Sequence, residues 1–345
     1  MMMIVAHHFV VHGDFDYPPG VIDEEKLWTQ FLKIGGKIGV DIFCLITGYF
    51  SVKKECIELK KIARIWIQIC FYSILFYLIA IWTGLESLSV SSLIKHALPI
   101  MTEQWWFSST FFVLYICSPY LNQMLNNLSE NAYITMLLVF GICWCLVPTI
   151  TGEKFQSNNL LWFVYVYSLA GYIRLYRKEE ARRKGILLAM AVLILVMTFL
   201  LNTIFDILSI KRPIESETGD FFYDMQSLPI ISIALLLFLW MKNVKINNGG
   251  NIINRIASAT FGVYLIHDNE YMRTILWKYI FKNATYSESS ILIPYSIIVI
   301  GLVFVFCTMI ELMRMYILEK LYMPLIDVIA KKIKVCENHI LKNAR

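Results

Sequence analysis

Charge is scarce in this chain. Asp, Glu, Lys and Arg together make up 17% of its 345 residues, against about 25% in soluble domains. With 58% hydrophobic content and a mean hydropathy of +0.60, that shortage excludes a water-soluble enzyme. The sequence also lacks linkers, low-complexity tracts, a separate soluble module and any convincing internal repeat, which weakens the inverted-repeat architecture of many transporters. It has eight cysteines but none of the spacings of a disulfide framework or a zinc site; Cys44, Cys70, Cys117, Cys143, Cys145 and Cys307 lie inside apolar runs as small core residues. A net charge of +5 is too weak to indicate nucleic acid as a partner. What the chain does have is 22 Phe, 19 Tyr and 9 Trp, side chains that must be buried in protein or lipid. The expected fold is all-α and polytopic, with the lipid bilayer as first partner.

A spanning helix needs about 20 mostly apolar residues. Runs near 61–83, 132–150, 185–205, 227–242 and 291–313 meet that need. Four more are interrupted by polar residues: 31–52 carries Lys33, Lys37 and Asp41; 105–121 carries Ser118 and Pro119; 160–176 carries Arg174; and 256–269 ends in His267 and Asp268. Polar groups at such depth face a bundle interior or a cavity. The tenth run, Met1 to Val11, rises about 18 Å against a hydrocarbon core of about 30 Å, so as written it cannot cross alone. Ten transmembrane helices, the first apparently truncated, place both termini on one side with roughly two-thirds of the 31 Lys and Arg, including Lys178, Arg182, Arg183 and Lys245. The opposite connections, such as the stretch with Glu215 and Glu217, are acidic or neutral. By the positive-inside rule the N- and C-termini are cytoplasmic. The chain divides into a transmembrane part, 1–313, and a basic tail, 314–345, whose Ile317, Leu321, Ile326, Ile329, Ile333 and Ile340 alternate with Lys331, Lys332 and Lys334. That pattern suits a helix lying on the inner leaflet, or equally an ordinary solvated helix.

Two constellations could carry chemistry. His7, His8 and His12 lie in or just after the first run, and histidine can act as a general base near neutral pH. An imidazole hydrogen-bonded inside the bundle is one alternative. A metal held by His8 and His12 at i, i+4 spacing is another, but no third ligand accompanies them, so no metal is expected. The second constellation runs from Gly39 to Phe50 and contains Asp41, a carboxylate in an apolar helix with Lys37 one turn earlier. It is either a structural ion pair or a polarised group beside a cavity, and spacing alone does not separate the two.

These two strings, Ile4-Val5-Ala6-His7-His8-Phe9 and Gly39 to Tyr49, resemble the membrane acyltransferase-3 family, the integral-membrane O-acyltransferases of bacterial surface polysaccharides. The resemblance continues in order through Gln104-Trp105-Trp106-Phe107, Tyr115 with Ser118-Pro119-Tyr120-Leu121, Leu169 to Arg174, and Phe261 to His267. It implies a multi-pass bacterial cell-membrane enzyme moving an acyl group, acetyl foremost, from cytosolic acyl-CoA to a glycan hydroxyl. It places the essential histidine on His7, as base or transient acyl carrier, with His8 the poorer copy, and leaves Asp41 to orient it or stabilise charge. An arginine that the family carries upstream would precede Met1, and the three opening methionines suggest that the chain as written starts inside its first helix.

The family's cationic stretch falls on Lys53, Lys54, Lys60, Lys61 and Arg64, which could hold the phosphates of acyl-CoA, though the positive-inside rule also accounts for them. On the other side Glu103, Gln104, Trp105 and Trp106 could form a sugar platform or an interfacial aromatic belt. His267, Asp268 and Asn269 could orient the acceptor or simply cap a helix. The rival reading is a small-molecule transporter or polysaccharide exporter without chemistry, because the same polar residues could line a permeation path.

Overall fold

The computed structural model describes residues 1–18, 22–177, 184–209, 218–244 and 249–343. The basic Lys178, Arg182, Arg183 and Lys245 and the acidic Glu215 and Glu217 lie outside the described residues. The protein is all-helical, with 81% helix and no strand among the described residues.

Its axis is α2 (Glu24–Ser51), 28 residues or about 42 Å at the helical rise. This helix starts earlier than its apolar run requires because Asp23 caps it. The Asp23 carboxylate accepts the Lys26 amide at 2.6 Å, and Glu24 and Glu25 occupy the first turn where the helix dipole favours anions. The short α1 (Met2–Val11) runs antiparallel against it, with Ile4 against Gly39 and His7 against Gly36. A Cβ at Gly36 would overlap the His7 ring, so glycine there lets the two helices close on the histidine.

The other elements follow in chain order: α3 (Leu59–Trp82), α4 (Val90–Ala97), α5 (Trp106–Asn127), α6 (Glu130–Gly141) with α7 (Val147–Thr151), α8 (Asn159–Tyr176), α9 (Lys184–Ser209), α10 (Leu228–Lys242), α11 (Gly250–His267), α12 (Glu270–Arg273), α13 (Leu292–Arg314) and α14 (Lys320–Asn343). Among the described residues, five helices are long and apolar enough to cross a membrane: 59–82, 130–151, 184–208, 221–242 and 292–331. The polar helices α2, α5, α8 and α11 do not qualify by composition, because they are the ones that build the interior.

Contacts along α2 give the relative directions. Asp41 meets Trp162, Cys44 meets Phe163 and Gly48 meets Tyr167, so α8 is parallel to α2. Phe43 meets Phe107 while Ser51 meets Asn122, so α5 is parallel as well. Lys26 pairs with Asp206 and Phe31 packs on Phe199, so α9 is antiparallel.

Two features depart from the sequence expectation. The amphipathic α4, capped by Ser89 on the Ser92 amide at 3.0 Å, was invisible to a search for long apolar runs. The expected boundary after Met313 is not a break: the helix passes through a π-turn (Met315–Glu319) into α14, whose Asp327 pairs with Lys60 of α3 at 2.7 Å. Leu321 and Leu325 of this tail are exposed and Ile326 is buried, whereas the side chains of Lys332, Ile333, Lys334 and Ile340 lie outside the described ones.

Candidate active site

A cavity of about 190 Å³ lies where α1, the middle of α2, α5 and α11 converge. His7, His8 and His12 line it from α1, Lys37 from α2, Trp106 and Phe107 from α5, and Tyr264 and Asp268 from the end of α11. Two turns of α1 supply three imidazoles because positions 8 and 12 share a helix face, whereas position 7 turns toward α2.

His8 sits at the centre. Its Nδ1 is 2.9 Å from His267 Nε2 and 3.3 Å from Asp268 Oδ1. The neighbours fix the tautomers. His267 Nδ1 donates to the Val263 carbonyl at 2.5 Å, so a neutral His267 presents Nε2 as an acceptor and His8 Nδ1 must carry the hydrogen. That leaves His8 Nε2 with a lone pair and no hydrogen-bond partner among the described residues. His12 Nε2 at 3.3 Å and Arg273 Nε at 2.9 Å approach the same Oδ1 of Asp268, so one carboxylate oxygen gathers two donors and stands beside the His8 ring. Its other oxygen, Oδ2, is buried with no partner among the described residues, as is the hydroxyl of Tyr264 one turn earlier.

His7 is also on the cavity wall. Its Nδ1 donates to the Lys33 carbonyl at 2.6 Å, which leaves its Nε2 unengaged. Asp41 is fully buried, does not line the cavity, and accepts the indole N–H of Trp162 at 2.9 Å. No ion pair joins it to Lys37, whose ammonium lies over the Trp106 ring at 5.6 Å. The structure therefore brings His7 and Lys37 to one cavity with His8 and keeps Asp41 apart from them.

The residues expected to face the acceptor separate too. Trp106 lines the cavity, but Trp105 is buried and unavailable for stacking on a sugar from outside, and Glu103 is exposed at a positive φ of 49°. His267 and Asp268 are both buried, and their partners are the histidines. Asn269 caps α12 through the Tyr271 amide at 3.0 Å.

Most of the expected phosphate-holding cations are engaged elsewhere. Lys54 pairs with Glu58 at 2.6 Å, an arrangement that holds the Glu58 carboxyl below its ordinary range. Lys60 pairs with Asp327, Arg64 with Glu319 at 2.7 Å, and Lys61 lies over the Tyr115 ring at 5.0 Å, while Lys53 is exposed.

Two groupings escaped the sequence. The first concerns a third metal-type ligand: His8, His12 and Asp268 place their donor atoms within 4.8 Å of one another, a set that could hold a divalent cation, although Arg273 already occupies the shared carboxylate oxygen. No spacing rule could find it, because 256 residues separate His12 from Asp268. The second is a buried charge network. Glu311 receives both nitrogens of Arg314 at 2.7 and 2.9 Å, Gln68 at 3.0 Å and the Tyr72 hydroxyl at 2.6 Å. Such a pair tolerates burial only because every lone pair is used. Its signal was an acid and a base at i, i+3 near the end of an apolar run.

Searches of curated proteins and of solved structures give no match. A family model described as an acyltransferase domain matches residues 1–312. With that match over nearly the whole chain, the protein belongs to the acyltransferase-3 family and is a membrane acyltransferase enzyme.

Proposed function

We propose that the enzyme takes an acyl group, acetyl foremost, from acyl-CoA on the cytosolic side and passes it to a hydroxyl of a surface or cell-wall glycan. The observation that carries this reading is that Nδ1–H of His8 is committed to His267 Nε2, with the Asp268 carboxylate 3.3 Å away, which leaves Nε2 as the base-competent nitrogen of a cavity-lining ring. The sequence expectation put the base on His7; the buried acid stands within ion-pair distance of His8 and not of His7, so the proposal moves the base there. Asp41, buried away from the cavity, then acts through packing on α8 rather than on the reacting atoms.

In this scheme His8 Nε2 takes the proton of the acceptor hydroxyl as its oxygen attacks the thioester carbon. The oxyanion of the tetrahedral intermediate is stabilised by the ammonium of Lys37 and the hydroxyl of Tyr264, both of which line the cavity. Collapse breaks the carbon–sulfur bond, and the leaving thiolate takes the proton back from His8. Trp106 and His7 are placed to contact the acceptor.

The parallel course of α2, α5 and α8, with α9 opposed, supports alternate crossing of ten helices in the cell membrane with both termini cytoplasmic. In that arrangement the cavity lies near mid-membrane, since Gly36 and Lys37 are close to the middle of α2.

Incubating the purified protein with labelled acetyl-CoA and candidate glycans tests the reading. Label should reach the glycan and be lost in His8→Ala. Uptake of label into liposomes without any acylated product would favour a transporter instead.

A further inference from the structure

Near the C-terminal end of α2 lies a second and larger cavity, about 570 Å³, between α8, α9 and α10. Its apolar wall includes Leu187, Leu235 and Leu239, and its polar rim carries Arg177 and Lys242. Arg177 lies 5.5 Å from the Tyr172 ring centroid and Lys242 lies 5.2 Å from that of Tyr49. Arg174, whose Nη1 donates to the Tyr49 hydroxyl at 3.2 Å, also lies over the Tyr49 ring at 5.0 Å. Among the described residues, none of these three cations has a carboxylate within ion-pair distance. The lysines and arginine at the start of α3 differ in this respect, since Lys54, Lys60 and Arg64 are all neutralised by acids. Glu130 accepts the hydroxyl of the cavity-lining Tyr172 at 3.1 Å.

Cations at helix C-termini complement the helix dipole, and that accounts for a basic residue at the end of α8 and of α10. It does not account for a cavity that pairs a cationic rim with an aliphatic wall. An anion with a hydrophobic tail satisfies both halves at once, through charge-assisted hydrogen bonds at the rim and burial of apolar surface below. Side chains of α9 outside the cavity, including Ile186, Met190 and Leu193, are exposed and apolar, as suits a helix face against lipid.

We propose that this cavity is a binding site for an acidic phospholipid of the adjacent leaflet, with the phosphate between Arg177 and Lys242 and one acyl chain along Leu187, Leu235 and Leu239. The site is independent of the acyl-transfer reading, because it shares no residue with the histidine cavity.

Native mass spectrometry of the full chain, released from nanodiscs of equal phosphatidylglycerol and phosphatidylcholine, tests it. The unaltered protein should retain one phosphatidylglycerol in clear preference to phosphatidylcholine. The double variant Arg177→Gln/Lys242→Gln should lose that preference, while Arg177→Lys/Lys242→Arg should keep it and Lys53→Gln/Lys60→Gln should leave it unchanged. Equal retention of the two lipids by the unaltered protein, or an undiminished preference in the glutamine double variant, overturns the proposal. Release of the retained lipid by coenzyme A at equimolar concentration also overturns it, by assigning the cavity to a nucleotide phosphate.

Discussion

Asp268 turns one oxygen, Oδ1, toward Nδ1 of His8 at 3.3 Å and leaves the other without a partner among the described residues. His267 on Nδ1 fixes the ring's tautomer, and the carboxylate beside it stabilises the imidazolium that forms when Nε2 takes a proton, the part the acid plays in acyl-transfer enzymes. The pair joins helices that are remote in sequence, α1 and α11, and so exists only in the folded chain.

Replacing His8 by Ala should lower acyl transfer by about 10²- to 10⁴-fold, the usual contribution of a positioned general base. Asp268→Asn should lower turnover by a similar order with little change in KM, because the amide can still bond but cannot stabilise an imidazolium. His7→Ala should cost far less, since its ring is held by a backbone carbonyl and no carboxylate. Steady-state kinetics of the three variants decide among them. Loss of activity confined to His7→Ala would return the base to His7.

Tyr264→Phe separates catalysis from folding. The hydroxyl is buried without a partner among the described residues, an arrangement that costs about 1–3 kcal/mol in the resting protein. Removing it should leave the melting temperature unchanged or raised. If the hydroxyl donates to the oxyanion, turnover should fall by about 10²- to 10³-fold. A variant that melts lower and turns over normally would assign the phenol a structural role alone.

How much of this was legible in the sequence depends on distance along the chain. The apolar runs gave the positions of α3, α9, α10 and α13 because lipid or core demands a continuous stretch of such residues. His7, His8 and Asp41 stood out because polar groups are rare in such company, and Trp106 and His267 stood out through the family strings. The pairing of His8 with Asp268 and His267 did not, because no periodicity relates residues on α1 and α11. Trp105 and Trp106 read alike in sequence, yet neighbouring positions on a helix start point in different directions, and only Trp106 reaches the cavity. Arg64 looked like a free cation because Glu319, its partner, comes from the far end of the chain.

Gly262 on α11 faces Glu311, and a Cβ there would overlap the Glu311 carboxylate. That carboxylate cannot swing away without abandoning Arg314, Gln68 or Tyr72. Gly262→Ala should therefore destabilise the protein by about 1–3 kcal/mol as an overpacked core site, in spite of alanine's better helix propensity. Thermal melting in detergent measures it. A melting temperature equal to or above that of the unaltered protein would show that the network yields.

His96 on α4 gives the expected pH dependence. Its ring is buried, stacked on Tyr77 at 4.5 Å, and its Nδ1 accepts from the Gln104 amide at 2.8 Å while Nε2 donates to the Tyr271 hydroxyl at 3.1 Å. That arrangement suits the neutral imidazole, and burial lowers its pKa below the ordinary 6.5, against a smaller opposing pull from Glu270. The unfolded chain then binds a proton more readily than the folded one as the pH falls past 6.5, so the contribution of His96 to stability is complete above that pH and is lost below it. Melting temperature should decline between pH 7 and pH 5, and His96→Gln, which cannot be protonated, should flatten part of that decline. A slope identical in the variant and the unaltered protein would mean that other groups, and not this imidazole, set the acid sensitivity of the fold.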